Sequence, residues 1–282
     1  MSKEECSNLQ EKELINVFDK PMKQEWWMEY GGFFGHYYVK GDNSLDGYLS
    51  TPQNLNERSQ CEVEGLIRLL ALQPNQRILD SPCGYGRHSI GLAHQGLTVV
   101  GVDINSHELN IANKNSQGLE NVQFFKQDMR LLKYENEFDA IVNVFFSFGF
   151  FELEEENFQV LQNFYQALKP GGKFLMHTDV NIPRVLSGEY KFSEIRSLQN
   201  GKKLEISENY DHVTKRINGQ WIFINQDGTK EETSPYSVRV YSFSEFSDLC
   251  QQVGFKIITG YGNWQGSPLT NCSEDMIIVA EK

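Results

Sequence analysis

Residues 77–103 constrain the fold more than any other stretch of the chain. Arg77-Ile78-Leu79-Asp80 is a short apolar run that stops at an acid, and Ser81-Pro82-Cys83-Gly84-Tyr85-Gly86 follows it as a turn. A helical pattern runs from about Tyr85 to Gly96, and Val99-Val100-Gly101-Val102-Asp103 is a second apolar run that stops at an acid. This order predicts a βαβ unit with a carboxylate at the end of each strand. Gly84 and Gly86 let backbone approach a ligand where a Cβ would clash, and the N-terminus of the next helix offers unpaired N–H groups. Asp103 then lies where an acid takes two ribose hydroxyls in nucleotide-binding α/β folds. A dinucleotide fingerprint is the rival reading, and it needs a glycine directly after the strand and a third glycine three residues after the second. Here three residues separate Asp80 from Gly84, and Ser89 holds the third position. A pyrophosphate clamp is disfavoured.

The stretch resembles motif I of the class I S-adenosylmethionine-dependent methyltransferases: an acid, two variable residues, a small residue, Gly, any residue, Gly. The form Leu79-Asp80-x-x-Cys83-Gly84-x-Gly86-Arg87-His88 is most similar to that of bacterial small-molecule enzymes. Later landmarks fall in the family's order, including Lys169-Pro170-Gly171-Gly172 before the fifth strand. The resemblance implies an α/β fold with a Rossmann-like, mostly parallel sheet whose last strand is antiparallel. It implies S-adenosyl-L-methionine as methyl donor, with Gly84 and Gly86 on its methionine side, Asp103 on its ribose and Asp128 on its adenine. Asp80 would support the turn or the donor's amino group, Arg58 would reach its carboxylate, and Ile104, Met129 and Asn143 would join the donor site. Read from the residues alone, Asp128 is also a turn former, and Arg58 a solvated surface side chain.

The chain divides into an N-terminal segment, 1–56, and a methyltransferase domain, 57–282, that carries a β-rich insertion at 183–241. The first segment has a helical stretch from Leu9 to Asp19, then Trp26, Trp27, Phe33, Phe34, Tyr37 and Tyr38 among glycines. It reads equally as a packing flap or as a substrate lid. Val63, Leu66, Ile67 and Leu70 fall at helical spacing over 57–72. Beyond the βαβ unit, Asn105 begins a helix that runs to Asn115. Strands follow over Val122–Lys126, the buried run Phe138–Phe146, and Lys173–Thr178. Glu152 and Glu154–Glu156 open a helix, where the macrodipole favours acids. In the insertion, Asn200-Gly201, Asn218-Gly219 and Asp227-Gly228 predict hairpin turns between strands at 203–210, 213–217, 220–224 and 237–241. His212, Trp221, Tyr236, Arg239 and Tyr241 are its candidate substrate contacts. Ser242 to Glu245 reads as a capping box for a helix to Gln252, and the last strands cover 255–260 and 275–280.

His177 and Asp179 reach the carboxyl edge of the sheet, so His177 is the first candidate base, with Tyr37 or His36 next. A structural histidine is the competing reading. Cysteines at 6, 61, 83, 250 and 272 form no metal cluster, which points to reduced thiols, a cytoplasmic setting and no metal site. The first twenty residues are charged and no later run has membrane-spanning length. A net charge of -12 repels a phosphate backbone. The prolines of nucleic-acid amino methyltransferases are missing from Asn143-Val144-Phe145-Phe146. The expectation is methyl transfer to nitrogen, oxygen or carbon of a small organic acceptor, with no nucleic-acid or membrane partner and room for a homodimer. A protein or peptide methyltransferase and a non-catalytic S-adenosylmethionine-binding protein are the alternatives.

Overall fold

Apolar runs that stop at acids come to lie side by side. In the computed structural model, which describes residues 25–29, 32–34, 55–198 and 201–282, helix α1 (Leu55–Leu70) leads into β1 (Arg77–Asp80), α2 (Arg87–His94) and β2 (Thr98–Asp103). Next come α3 (Ser106–Asn115), β3 (Val122–Lys126), β4 (Phe138–Asn143), α4 (Glu154–Ala167) and β5 (Leu168–Thr178). A second group is β6 (Lys191–Ser197), β7 (Lys203–Asp211), β8 (Arg216–Ile224), β9 (Lys230–Glu232) and β10 (Tyr236–Arg239). The chain returns through α5 (Phe243–Val253) to β11 (Ile257–Tyr261) and β12 (Met276–Glu281).

The main sheet has the order β11-β12-β5-β4-β1-β2-β3, and β12 alone runs antiparallel to its neighbours. The expected class of sheet, mostly parallel with the last strand reversed, is the one observed. Strand alternation divides the core between its two faces. Ile78 joins Val63, Leu66 and Leu92 under α1 and α2, whereas the adjacent Leu79 joins Phe164, Phe174 and Phe246 under α4 and α5. Local caps fix the helix starts. Asn105 accepts from the His107 and Glu108 amides, and Ser242 and Glu245 form a reciprocal capping box.

Three local expectations need correction. The apolar run expected to Phe146 leaves the sheet after Asn143. Lys169–Gly172 lies within β5 as a bulged segment, because Phe138 pairs with Leu168 while Ala140 pairs with Lys173. Asn218-Gly219 is no turn: β8 passes straight through it, pairing with β7 over its whole length. The chain instead turns over 212–215, where the Asp211 carboxylate accepts from the Val213 amide at 2.8 Å and Lys215 takes a φ of 53°. Gly219 stays bare because a Cβ there would fall inside the Tyr236 ring. Asp227-Gly228 does make its hairpin, closed by the Asn225 amide donating to the Thr229 carbonyl at 2.9 Å. The second sheet, β10-β8-β7-β6 with β9 on β8, is antiparallel throughout.

Candidate active site

The carboxyl ends of β1, β2 and β4 open into a cavity. The turn after β1 is tied to both neighbouring strands: the Ser81 amide donates to the Val142 carbonyl at 3.0 Å, and the Cys83 amide to the Val102 carbonyl at 2.9 Å. Gly84 lines the cavity in a left-handed conformation, φ 52°, where a Cβ would come within 2.8 Å of the Glu108 carboxylate. Its amide donates to Asp103 Oδ2 at 2.8 Å, and the Asn105 amide donates to Oδ1 at 2.9 Å. Burial raises the Asp103 carboxyl above its ordinary value, against the pull of those amides. Held this way on the cavity wall, it has lone pairs left for hydroxyl donors.

Behind that turn, Ser89 donates to Asp80 Oδ2 at 2.6 Å. Asp80 Oδ1, Ser81 Oγ and Asn143 Oδ1 are buried without a partner among the described residues. Burial pushes Asp80 up to about 7, so a cationic donor of hydrogen bonds beside it would be well received. Ser81, Gly84, Asp103, Ile104, Asp128, Met129 and Arg58 all line the cavity. Asp80, Gly86 and Asn143 stand behind the wall. Gly86 makes room for the Phe124 ring, which a Cβ at this position would approach to 2.7 Å, and Asn143 donates to the Ser81 carbonyl at 2.8 Å. On the wall itself, the unpartnered Ser81 hydroxyl and the Asp103 carboxylate fit the ammonium and ribose diol of S-adenosylmethionine.

A charged corner that the sequence pattern does not single out completes this side. Glu62 of α1 is buried, takes Arg58 Nε at 2.8 Å and His88 Nε2 at 2.9 Å, and pairs with Arg87. Burial alone would raise Glu62, but the His88 hydrogen bond and the two guanidiniums hold it far below the usual carboxylate range. Burial and the Arg87 charge push His88 down to about 4, leaving a neutral ring. The only sequence signals were the i, i+4 spacing of Arg58 and Glu62 and the basic pair after Gly86. Arg58 and Arg87 lie 4.5 and 4.3 Å from the centre of the Phe145 ring, a cation–π arrangement.

Phe145 and Phe146 both have left-handed backbone, with φ of 62° and 54°. Such residues cost on the order of 1–3 kcal/mol each and persist where their surroundings hold them. His177, the expected base, is where they are held. It is wholly buried and does not line the cavity, which removes it from direct contact with a substrate. Asp179 lies 3.8 Å from Arg58. His36 and Tyr37 fall outside the described residues, as does the 9–19 helical stretch.

The opposite wall is aromatic. Asp128 caps a single 3₁₀ turn, Met129–Leu131, and is clasped by the Arg130 guanidinium at 2.6–3.2 Å. Arg130 in turn covers Trp27 and Phe151, at 4.8 and 4.4 Å from their ring centres. Trp26 and Phe34 pack on Phe150, while Phe33 packs on Trp221 and Tyr236 of the second sheet. The Asn105 amide side chain donates to the Phe34 carbonyl, joining this segment to the start of α3. Tyr236 and Tyr190 both donate to Glu208, whose carboxyl burial raises. His212, Arg239 and Tyr241 point elsewhere: His212 packs on Tyr210, and the other two bind Glu154. Among the described residues no group of three or more His, Cys, Asp or Glu is placed to hold a metal, and no helix is long and apolar enough to cross a membrane.

A cavity at the carboxyl edge of this sheet, with a glycine turn and a ribose-placed acid, defines a class I methyltransferase site. A family described as "methyltransferase domain" matches residues 72–228, more than half of the chain, and the chain belongs to it. It is an S-adenosylmethionine-dependent methyltransferase. The chain is 30% identical over 118 residues to YqeM of Bacillus subtilis (strain 168), a match covering 41% of this chain and only about half, 48%, of that protein. It is 28% identical over 214 residues to the glycine/sarcosine N-methyltransferase of Parasynechococcus marenigrum (strain WH8102), covering 74% of this chain and 73% of that one. Among solved structures, the CcbJ methyltransferase of Streptomyces caelestis shares the fold at a TM-score of 0.69 and 16% identity, over 78% of this chain and 88% of that one.

Proposed function

We propose that the protein methylates a nitrogen atom of a small organic acceptor. The observation that carries this reading is one cavity lined both by donor-site residues, Gly84 and Asp103, and by an aromatic wall of Trp27, Phe34, Phe150 and Phe151. The two sets of residues face the same cavity, so an acceptor held by the rings would lie beside the donor. Nitrogen is favoured because the relative with the broader coverage is named an N-methyltransferase.

S-adenosylmethionine, when bound, would supply a methyl group activated by its sulfonium, passing it to the acceptor's lone pair as the neutral thioether leaves. In this chain Asp103 would hold the ribose, Asp128, Met129 and Ile104 the adenine end, and Asp80, Ser81 and Arg58 the amino-acid end. The rings exclude water, and an amine in such surroundings sheds its proton more readily than in water. Alignment of the two reactants then supplies much of the rate. Tyr37 and His36 are candidates to take the departing proton. The described part of the N-terminal segment closes the acceptor side through Trp27 and Phe34, and the 183–241 insertion backs it through Trp221 and Tyr236.

An acceptor screen tests this: amino acids, amino sugars and simple amines are incubated with S-adenosylmethionine, and products are read by mass spectrometry. N-methylated product with matching S-adenosylhomocysteine is expected. Methylation at oxygen or carbon alone would overturn the nitrogen assignment. Donor binding without turnover across the panel would favour a sensor.

A further inference from the structure

We infer that His177 is a positioning residue, whose ring nitrogen and carbonyl together hold the left-handed Phe145–Phe146 pair that shapes the cavity wall. β4 and β5 are parallel neighbours up to Asn143 and Met176. One residue further on, the ladder ends and the two phenylalanines turn away. Their amides would be left without partners, yet both end on the same residue: Phe145 donates to His177 Nδ1 at 3.3 Å, and Phe146 to the His177 carbonyl at 2.9 Å. A backbone N–H carries no lone pair to give, so Nδ1 must be the bare nitrogen and the ring proton sits on Nε2. Nε2 faces Asp275 Oδ1 at 3.4 Å, which selects that tautomer. Trp264 closes the side of the ring at 4.6 Å between centres, and Phe145 itself lies at 5.5 Å.

The consequence reaches the cavity through one side chain. The Phe145 ring lines the cavity and lies against Arg58 and Arg87, which line it too. An acceptor at Nδ1 therefore sets where two guanidiniums stand, although His177 touches nothing in the cavity. The series Asp275, His177, Phe145 orders a wall in the way a buried acid and histidine order a reacting group, with a backbone amide as its end point. This holds whichever atom the acceptor offers for methylation.

Three substitutions separate this role from plain packing. Asparagine places an acceptor oxygen near the Nδ1 position, glutamine places it near Nε2, and leucine places none. Hydrogen exchange of the Phe145 amide, followed by NMR, reads the contact directly and needs no acceptor substrate. Once the screen has found an acceptor, kcat and KM read its effect on turnover. His177→Asn should keep Phe145 protection and kcat within about threefold, whereas His177→Gln and His177→Leu should lose roughly tenfold in each, the effect of about one hydrogen bond. Equal behaviour of the Asn and Gln variants, or lost turnover with the Phe145 amide still protected, would overturn the inference. Should the His177 variants fold poorly, Asp275→Leu tests the same series from its partly exposed end. Faster Phe145 exchange is expected there, and unchanged exchange would contradict the role given to Asp275 and His177.

Discussion

Gly84 and Asp103 build one side of the cavity from backbone and a single carboxylate, whereas Trp27, Phe34, Phe150 and Phe151 build the other from rings. The first side comes from one continuous βαβ unit, and its hydrogen bonds tie the turn after β1 to β2 and β4. The second is drawn from chain segments far apart, with Trp221 and Tyr236 of the second sheet behind it. Backbone geometry tolerates little change, because a Cβ or a lost carboxylate acts directly on the ligand. Ring packing can shift and refill, so the same fold can keep its donor while its acceptor side varies.

Substitutions aimed at one side should therefore leave the other intact. The largest effect is expected for Gly84→Val. Its left-handed φ of 52° and the approach to Glu108 at 2.8 Å oppose any side chain. Left-handed backbone alone costs a non-glycine residue about 1–2 kcal/mol. Affinity for S-adenosylhomocysteine, measured calorimetrically, should fall at least about tenfold. Gly219→Ala addresses the other side: its methyl would drive Tyr236 from the sheet and from Glu208. A loss of about 1–3 kcal/mol in stability is expected from such overpacking, seen as a lower Tm, with a reduced kcat/KM for the acceptor and unchanged donor affinity. Loss of donor affinity in Gly219→Ala would show that the two sides are coupled.

A pH-dependent effect follows from Asp80. Its folded pKa is about 7, raised by burial, against an ordinary value of 3.8 in the unfolded chain. Between these values the folded protein holds a proton that the unfolded chain has released, so Asp80 makes stability fall as pH rises from about 4 to about 7. His88, pushed down to about 4 from 6.5, acts in the opposite sense over about 4 to 6.5. Asp80→Asn removes the first contribution only. Tm of the variant should gain on wild type as pH rises from 5 to 7 without donor, whereas parallel curves would mean that Asp80 titrates normally.

The same division explains what could be read from the sequence. The strands ending at Asp80 and Asp103, the Asn105 cap and the Ser242 capping box depend on neighbouring residues, and all were legible. β6 was not, because its inward positions, Phe192, Glu194 and Arg196, include an ion pair and carry no apolar period. Asn218-Gly219 misled because a glycine cleared for a ring on another strand looks the same in sequence as one in a turn. The Glu62 corner joins α1 to α2, and His177 acts on an amide just beyond the end of β4. Neither contact leaves a pattern along the chain.

Titration of wild type, Asp103→Ala and Gly219→Ala with S-adenosylmethionine is the most direct test of the donor site. Two charge-assisted hydrogen bonds to the ribose should be lost in Asp103→Ala, weakening binding roughly 100-fold or more, while Gly219→Ala binds as wild type does. Equal binding by wild type and Asp103→Ala would contradict the assignment of this cavity.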